Sequence, residues 1–308
     1  MQEKVKYIWL ALLFLGWSFA VSAKPDMTIG SWNLDWLDQR NSSKGPVRDA
    51  DDYEQLSRLF AKTNIDVLGF QEVASQADIR QVVGTNYQIE LSHRAESGDP
   101  RQWPQYTGFA IRRGIAYQRH LDLVLDVTHG HQLRNGIDIT LLDGRKPYLR
   151  LLVVHLKSRC FSQKKRPTHQ KSNGSCYTLY LQSLRLQKWV ADREREGIPF
   201  MIVGDFNRRM AQDPNDWLLR TLSSGDSGKA IPLILATRLH QSHCLVGYRD
   251  KNQVYVKRYT AYIDHLIYDQ DAQQHVRPHS FQELSPTAEM VRQIQLSDHC
   301  PIFLQYRP

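Results

Sequence analysis

The stretch that most constrains this chain is Pro199-Phe200-Met201-Ile202-Val203-Gly204-Asp205-Phe206-Asn207-Arg208-Arg209. An apolar run that stops at a glycine and continues as Asp-Phe-Asn reads as a buried strand delivering polar side chains at its C-terminal tip. Asp205 and Asn207 are two apart, so in an extended chain both point the same way. A carboxylate and an amide aimed into one cleft can orient a water or share a magnesium ion with a phosphate oxygen. A strand end closed by an Asx turn accounts equally well for a lone Gly-Asp-x-Asn. What decides between them is whether other strands end the same way.

Other strands do. Met27 to Asn33 alternates apolar with small or polar residues and ends on Asn33, while Ile65 to Val73 is an apolar strand finishing on Gln71-Glu72. Tyr148 to His155 drives Leu151-Leu152-Val153-Val154 into His155, Leu156, Lys157 and Ser158. Tyr262 to Tyr268 reads as a strand carrying Asp264 in mid-run, and Ser297-Asp298-His299 stands just before a last apolar strand around Ile302 to Leu304. Tyr106 to Arg112, Leu121 to Val127 and Ile137 to Leu142 are further strand candidates. Helices are expected over Tyr53 to Ala61, with Asp51 and Asp52 at the start, and over Leu181 to Glu196, with Gly197 as its cap. Residues 92–105 and 159–175 read as loops. The second carries Lys164, Lys165, Arg166 and Lys171, either a solvated face or a phosphate-binding one. Residues 210–255 give no clear pattern, and no repeat or linker breaks the chain. The expectation is one domain of many strands and few helices.

Lys4 and Lys6 precede an apolar run from Tyr7 to Ala20 that closes on Val21-Ser22-Ala23, the pattern of a secretory signal peptide over residues 1–23. An uncleaved anchor is the competing reading, although the run is short for a membrane span. Residues 24–308 would then be the exported domain, in the periplasm or the medium. The formal net charge of +8 and the pI near 9.3 suit an anionic partner such as nucleic acid or an acidic membrane surface. The four cysteines all follow the proposed cleavage point, which favours two disulfides. Cys160 and Cys176 bracket a polar loop and are the expected first pair. Cys244 and Cys300 are left for the second, where free buried thiols remain the alternative.

In their order, Trp32-Asn33, Gln71-Glu72-Val73, His155-Leu156-Lys157-Ser158, Gly204-Asp205-Phe206-Asn207, Ile263-Asp264 and Ser297-Asp298-His299 resemble the endonuclease/exonuclease/phosphatase family, of which deoxyribonuclease I is a member. The resemblance runs from Thr28 to Phe303. It implies an α/β four-layer sandwich, with two mixed β-sheets packed face to face and helices outside. It also implies a magnesium-dependent phosphodiester hydrolase, with Mn2+ or Ca2+ as alternative ions and no organic cofactor. By matching motif, Glu72 would be the main metal ligand, assisted by Asn33 and Asp298. Asp205 and Asn207 would activate the attacking water and hold the phosphate. His299, held by Asp264, and His155 would share proton transfer and the binding of phosphoryl oxygens, and Arg134 and Lys157 would bind substrate. Arg134 has an ordinary loop arginine as its bland counterpart, and His265, beside Asp264 but facing the other way on a strand, is expected to be structural. One departure stands out: deoxyribonuclease I has a Glu near the Tyr106 strand that supports its first histidine, and here Pro104 and Gln105 stand nearby.

Three functions follow from this reading. The first is an exported, monomeric nuclease cutting DNA, with RNA as a further substrate. The second is a phospholipid phosphodiesterase of the sphingomyelinase kind or a lipid or inositol phosphatase, although Tyr262-Ile263-Asp264-His265 departs from the Trp-x-Asp-Arg feature of the inositol enzymes. The third is a non-enzymatic toxin or binding subunit, which would be expected to lack at least one of the strand-end groups.

Overall fold

Of the 308 residues, the computed structural model describes all except 1–24, 41–44, 100, 129, 131, 170–173, 226–229 and 251–252. The proposed signal peptide at 1–23 and Lys171 therefore lie outside the described residues. In chain order the strands are β1 (Met27–Leu37), β2 (Val67–Val73), β3 (Tyr87–Leu91), β4 (Tyr106–Arg112), β5 (Ala116–Arg119), β6 (Ile137–Asp143), β7 (Lys146–His155), β8 (Phe200–Asp205), β9 (Leu233–Leu235), β10 (Leu245–Asp250), β11 (Gln253–Arg258), β12 (Asp264–Asp269), β13 (Gln282–Glu283) and β14 (Ile302–Tyr306). The α-helices are α1 (Ala50–Thr63), α2 (Gln76–Val83), α3 (Gly174–Glu196), α4 (Trp217–Leu222), α5 (Gln270–Gln273) and α6 (Ala288–Gln293).

One six-stranded sheet runs β13-β14-β1-β2-β4-β3 and the other β5-β6-β7-β8-β12-β9, with β10 and β11 forming a separate antiparallel ribbon. Strands buried on both faces must be apolar on both, which is why β7 and β8 read as continuous hydrophobic runs. Their inward residues, with Ile29, Val67, Phe109 and Leu304 from the first sheet, form the central core around Leu151, Val153, Met201 and Val203. On the outer faces, Leu56, Phe60, Ile79 and Val82 of α1 and α2 cover the first sheet. Leu186, Trp189 and Val190 of α3, with Leu218 and Leu222 of α4, cover the second. The result is the expected order of layers, helix, sheet, sheet, helix.

β1 and β2 are parallel, joined through α1, and β7 and β8 are parallel, joined through α3. Such crossovers bring successive strands in with the same direction, so their C-terminal ends emerge at one edge. The helices have definite ends. Asp49 and Asp52 cap α1 reciprocally, and Asn64 closes it in the left-handed region at φ 50°.

Two glycines permit close approach, one between the sheets and one between neighbouring strands of one sheet. A Cβ at Gly69 would come within 2.6 Å of Val203 Cγ2 across the sandwich. At Gly204, φ is +144° and a Cβ would lie 2.0 Å from the Val154 carbonyl oxygen of the neighbouring parallel strand.

Several local expectations change. Leu121 to Val127 is not a strand; Ala116–Arg119 takes the sheet edge instead, and Leu123 alone makes a bridge, to Gly136. Asp122 there accepts from Ser92 Oγ at 2.6 Å and His93 N at 3.0 Å, so its carboxylate serves the neighbouring loop. Helix α3 begins at Gly174 rather than Leu181, because Cys176 and Leu179 continue its buried face. Residues 210–255 contain α4, β9 and β10. Asp264 opens β12 rather than sitting in mid-strand.

Gly204→Ala is expected to cost about 1–3 kcal/mol by overpacking against the Val154 carbonyl. Gly174→Ala, whose Cβ meets nothing within 4 Å, should stay within about 0.5 kcal/mol of the parent. Urea midpoints of the two variants check both values, and equal midpoints would contradict the close-approach role of Gly204.

Candidate active site

Both parallel strands of the first sheet are bent where their polar residues begin. Register slips between Asn33 and Leu37 on β1 and between Phe70 and Val73 on β2. Within these irregular stretches Asp35, Trp36 and Glu72 take left-handed φ values of 47°, 54° and 60°. Non-glycine residues there cost of the order of 1–3 kcal/mol each and cluster where a side chain must be re-aimed. The re-aimed groups meet. Asn33 Nδ2 donates to Glu72 Oε1 at 3.3 Å and to Asp205 Oδ2 at 3.2 Å, and the Trp36 backbone N–H donates to Glu72 Oε2 at 3.2 Å. Asn33 Oδ1 accepts from Asp35 N at 3.0 Å, so the amide here turns its donor toward the two carboxylates.

The end of β8 is an Asx turn after all, and the turn aims the carboxylate. Asn207, at φ 52°, donates its backbone N–H to Asp205 Oδ1 at 2.7 Å and its Nδ2 to Asp205 Oδ2 at 2.9 Å and to the Leu156 carbonyl at 3.1 Å. Burial and then the neighbouring Asp264 push the Asp205 carboxyl up to about 7, against the opposing pull of His299 and the Asn207 N–H.

His155, at the tip of β7, receives Arg134 Nε on its Nδ1 at 3.0 Å. A guanidinium can only donate, so Nδ1 is the acceptor and Nε2 carries the proton. Nε2 lies 3.4 Å from both Glu72 Oε1 and Asp205 Oδ2. Burial, followed by the charges of Arg134, His299 and Lys157, holds His155 well below the usual histidine range, so the ring is neutral. The ring is thus supported by an arginine where deoxyribonuclease I has a carboxylate. Arg134 is held in the fold as the hydrogen-bond partner of His155.

His299 is in the opposite state. Burial works against its charge, but Asp264, Asp298 and Asp205 together outweigh burial and hold its pKa well above the ordinary value. Asp264, paired with Asp205 across the β8–β12 register, binds His299 Nδ1 through Oδ2 at 2.7 Å. The loop is fixed by Ser297 Oγ donating to the Asn33 carbonyl at 2.6 Å and by Trp32 Nε1 donating to the His299 carbonyl at 3.0 Å. Asp298 reaches only to 3.7 Å from His299 Nε2 and is half exposed. The Cys244–Cys300 disulfide ties the residue after His299 to the base of β10, and Cys160–Cys176 ties the basic loop to α3.

Glu72, Arg134, His155, Lys157, Asp205, Asn207, Asp264, Asp298 and His299 all line one cleft of about 770 Å³. Asn33 is buried behind Glu72. Lys157 Nζ, whose pKa is lowered by burial and by Arg134 and Arg159, donates to the Ser158 carbonyl at 3.2 Å. Lys164, Lys165 and Arg166 stand exposed and outside the cleft wall, where Arg159, Arg209 and Lys257 supply the positive charge instead. His265 is buried between Thr237 Oγ1 at 2.7 Å and the Arg208 carbonyl at 2.7 Å, away from the cleft.

Sequence reasoning passed over Asp35 and Trp36. Burial, Asp298 and Glu72 push the Asp35 carboxyl up to about 7 against the pull of Arg48. Its signal was present: Asp35 follows Asn33 by the same two residues that separate Asp205 from Asn207.

These donors fit a hard divalent cation. Glu72, Asp35, Asp205 and Asp298 offer carboxylate oxygens in one cleft, Asp35 and Asp205 are raised first by burial and then by neighbouring carboxylates, and Asp264 Oδ1 is buried with no hydrogen-bond partner among the described residues. Asp205, Asp264 and His299 also bring one ligand-type atom each within 4.8 Å of the others. Within that trio His299 Nδ1 is already bound to Asp264 Oδ2 at 2.7 Å.

The sequence pattern of the Endonuclease/Exonuclease/phosphatase family matches residues 30–299. The chain belongs to that family. Its fold recurs in D. rerio TDP2 complexed with a single-strand DNA product, at 17% identity and a TM-score of 0.57 over 92% of this chain and 100% of that one. It also recurs in a family member from Bacteroides thetaiotaomicron, at 15% identity and a TM-score of 0.57 over 92% and 96% of the two chains. The 3′ phosphatase NExo from Neisseria, bound to a product DNA hairpin, matches at 16% identity and a TM-score of 0.53 over 91% and 99%. No curated protein matches the chain by sequence. Family membership makes it a hydrolase of the nuclease and phosphatase class. Among the described residues no helix is long and apolar enough to cross a membrane.

Non-reducing peptide mapping should recover Cys160 linked to Cys176 and Cys244 linked to Cys300. Cys244→Ser/Cys300→Ser should lose about 2–4 kcal/mol of stability, read as a lowered thermal midpoint. An unchanged midpoint would mean that the bond does not constrain the His299 loop.

Proposed function

We propose that the chain is an exported, magnesium-dependent phosphodiesterase that hydrolyses nucleic acid, DNA foremost. In this reading residues 1–23 are removed as a signal peptide and residues 24–308 act as a single monomeric domain. The two disulfides support export, since such bonds persist in oxidising compartments. The observation that carries the chemistry is the meeting of a neutral, Arg-supported His155, a charged, Asp264-bound His299 and a buried Asp205 on the floor of one basic-rimmed cleft.

Each residue has a task that its state suits. Glu72, with Asp298, would hold the magnesium ion, which supplies Lewis-acid stabilisation of charge on the phosphate, while Asn33, whose Oδ1 is taken by the Asp35 N–H and whose Nδ2 donates to Glu72, would hold that carboxylate in place instead of ligating the ion. Asp205, with a pKa near neutrality, accepts the proton of the attacking water, which Asn207 positions. His299 Nε2–H donates toward the leaving oxygen, and Asp264 fixes its tautomer and sustains its charge. His155 Nε2–H, Arg134 and Lys157 bind the non-bridging oxygens. Hydrolysis proceeds in one step with no covalent enzyme intermediate.

Supercoiled plasmid and phospholipid vesicles, each incubated with magnesium and with chelator, test the reading. Metal-dependent nicking is expected. Intact plasmid with released phosphorylated headgroup would overturn nucleic acid as substrate, and silence on both would overturn the enzyme. His299→Ala should lower turnover by about 10²–10⁴-fold with the fold retained, and Asp264→Asn should fall in the same range. Near-normal turnover in a folded His299→Ala protein would remove His299 from the mechanism.

A further inference from the structure

Resting on that reading, we propose that the substrate is nucleic acid with unpaired bases, which stack on aromatic side chains built into the cleft wall. Trp36 and Trp103 both line the cleft, with ring centroids 5.7 Å apart and planes tilted by 41°. Each is held from behind. Gly45 packs so closely that a Cβ there would lie 2.1 Å from Trp36 Cβ. The loop bearing Trp103 is tied down by Arg94, which donates to Gln102 Oε1 at 3.3 Å and to the Leu133 carbonyl, next to Arg134. Trp36 is also the residue whose N–H holds Glu72. Trp36 therefore lines the cleft in hydrogen-bond contact with the group that would carry the metal, within reach of a nucleotide whose phosphate is bound there.

The β10–β11 ribbon adds further aromatic rings. In the β10–β11 register Tyr248 stands directly across from Tyr255, and the next pair on the same face is Val246 with Lys257. Lys257 lines the cleft, while both tyrosines are exposed, at 66% and 52%. The other face of the ribbon is turned toward α6, where a Cβ at Gly247 would meet the Val291 carbonyl. The tyrosine pair thus extends the cleft wall outward, with Lys257 between it and the active site. Arg134, Arg159, Arg209 and Lys257 complement a phosphate backbone. Aromatic faces can bind only bases that are not already stacked within a duplex, and they do so with little regard to sequence.

The test compares an oligonucleotide of about 16 nucleotides as a single strand, as a blunt duplex, and as a single strand with its central bases removed to leave abasic sites. Wild type should cleave the base-bearing single strand with kcat/KM about tenfold or more above either of the other two. Trp103→Ala and Tyr248→Ser/Tyr255→Ser should collapse that preference through KM, while Trp103→Phe retains it. Equal cleavage of abasic and base-bearing strands, or preference for the duplex, would overturn the stacking inference while leaving the nuclease reading intact. Magnesium-dependent cleavage of bis(4-nitrophenyl) phosphate with no cleavage of any oligonucleotide would overturn the nucleic-acid reading itself.

Discussion

The structure depends on a crowd of carboxylates kept out of water. Asp205 is almost fully buried, with Asp264 across the strand register and Glu72 close by, and burial and mutual repulsion both disfavour the charged forms. Groups already in the protein offset part of this. The His299 imidazolium sits against Asp264, and the amides of Asn33 and Asn207 direct their N–H groups at Asp205. The remainder shows in the raised carboxyls of Asp35 and Asp205. A cleft whose carboxylates resist ionising in the absence of a further cation, and which is also rimmed by arginine and lysine, is suited to bind a cation and an anion together.

The fold makes the crowding sustainable by placing it at strand ends rather than within strands. Two parallel pairs, one from each sheet, bring the ends of β1, β2, β7 and β8 to the same edge of the sandwich. Gly69 allows the two sheets to approach closely, and side chains from different sheets touch at the strand ends, as Asn33 does Asp205. The left-handed residues Asp35, Trp36, Glu72 and Asn207 are the strained links of the arrangement. They lie on the short segments where regular pairing gives way to the site.

Much of this was legible in the chain. Apolar runs ending in Asn33, Glu72, His155 and Asp205 mark strands with polar tips, and the last three of these side chains line one cleft with Asn33 bonded behind them. Period alone could not separate the Leu121 to Val127 run from a strand, because its alternating leucines and aspartates have the right pattern, yet Leu121 and Val124, which would stand on opposite faces of such a strand, are both exposed. Nor could it reveal the partner of His155. Arg134 lies in an irregular loop and meets the ring only through the folded sheet, so the neutral state of His155 belongs to tertiary structure. Residues 210–255 were opaque because short elements such as α4 and β9 carry too few periods to show one.

The most direct test of the carboxylate cluster as a cation site is calorimetric titration of magnesium into the folded protein, compared with Glu72→Gln. A saturable heat in the wild type that disappears in a Glu72→Gln protein with an unchanged far-ultraviolet circular dichroism spectrum is the predicted result. Equal binding by the two proteins would contradict it and would leave the crowding of Asp35, Asp205 and Glu72 without its proposed purpose.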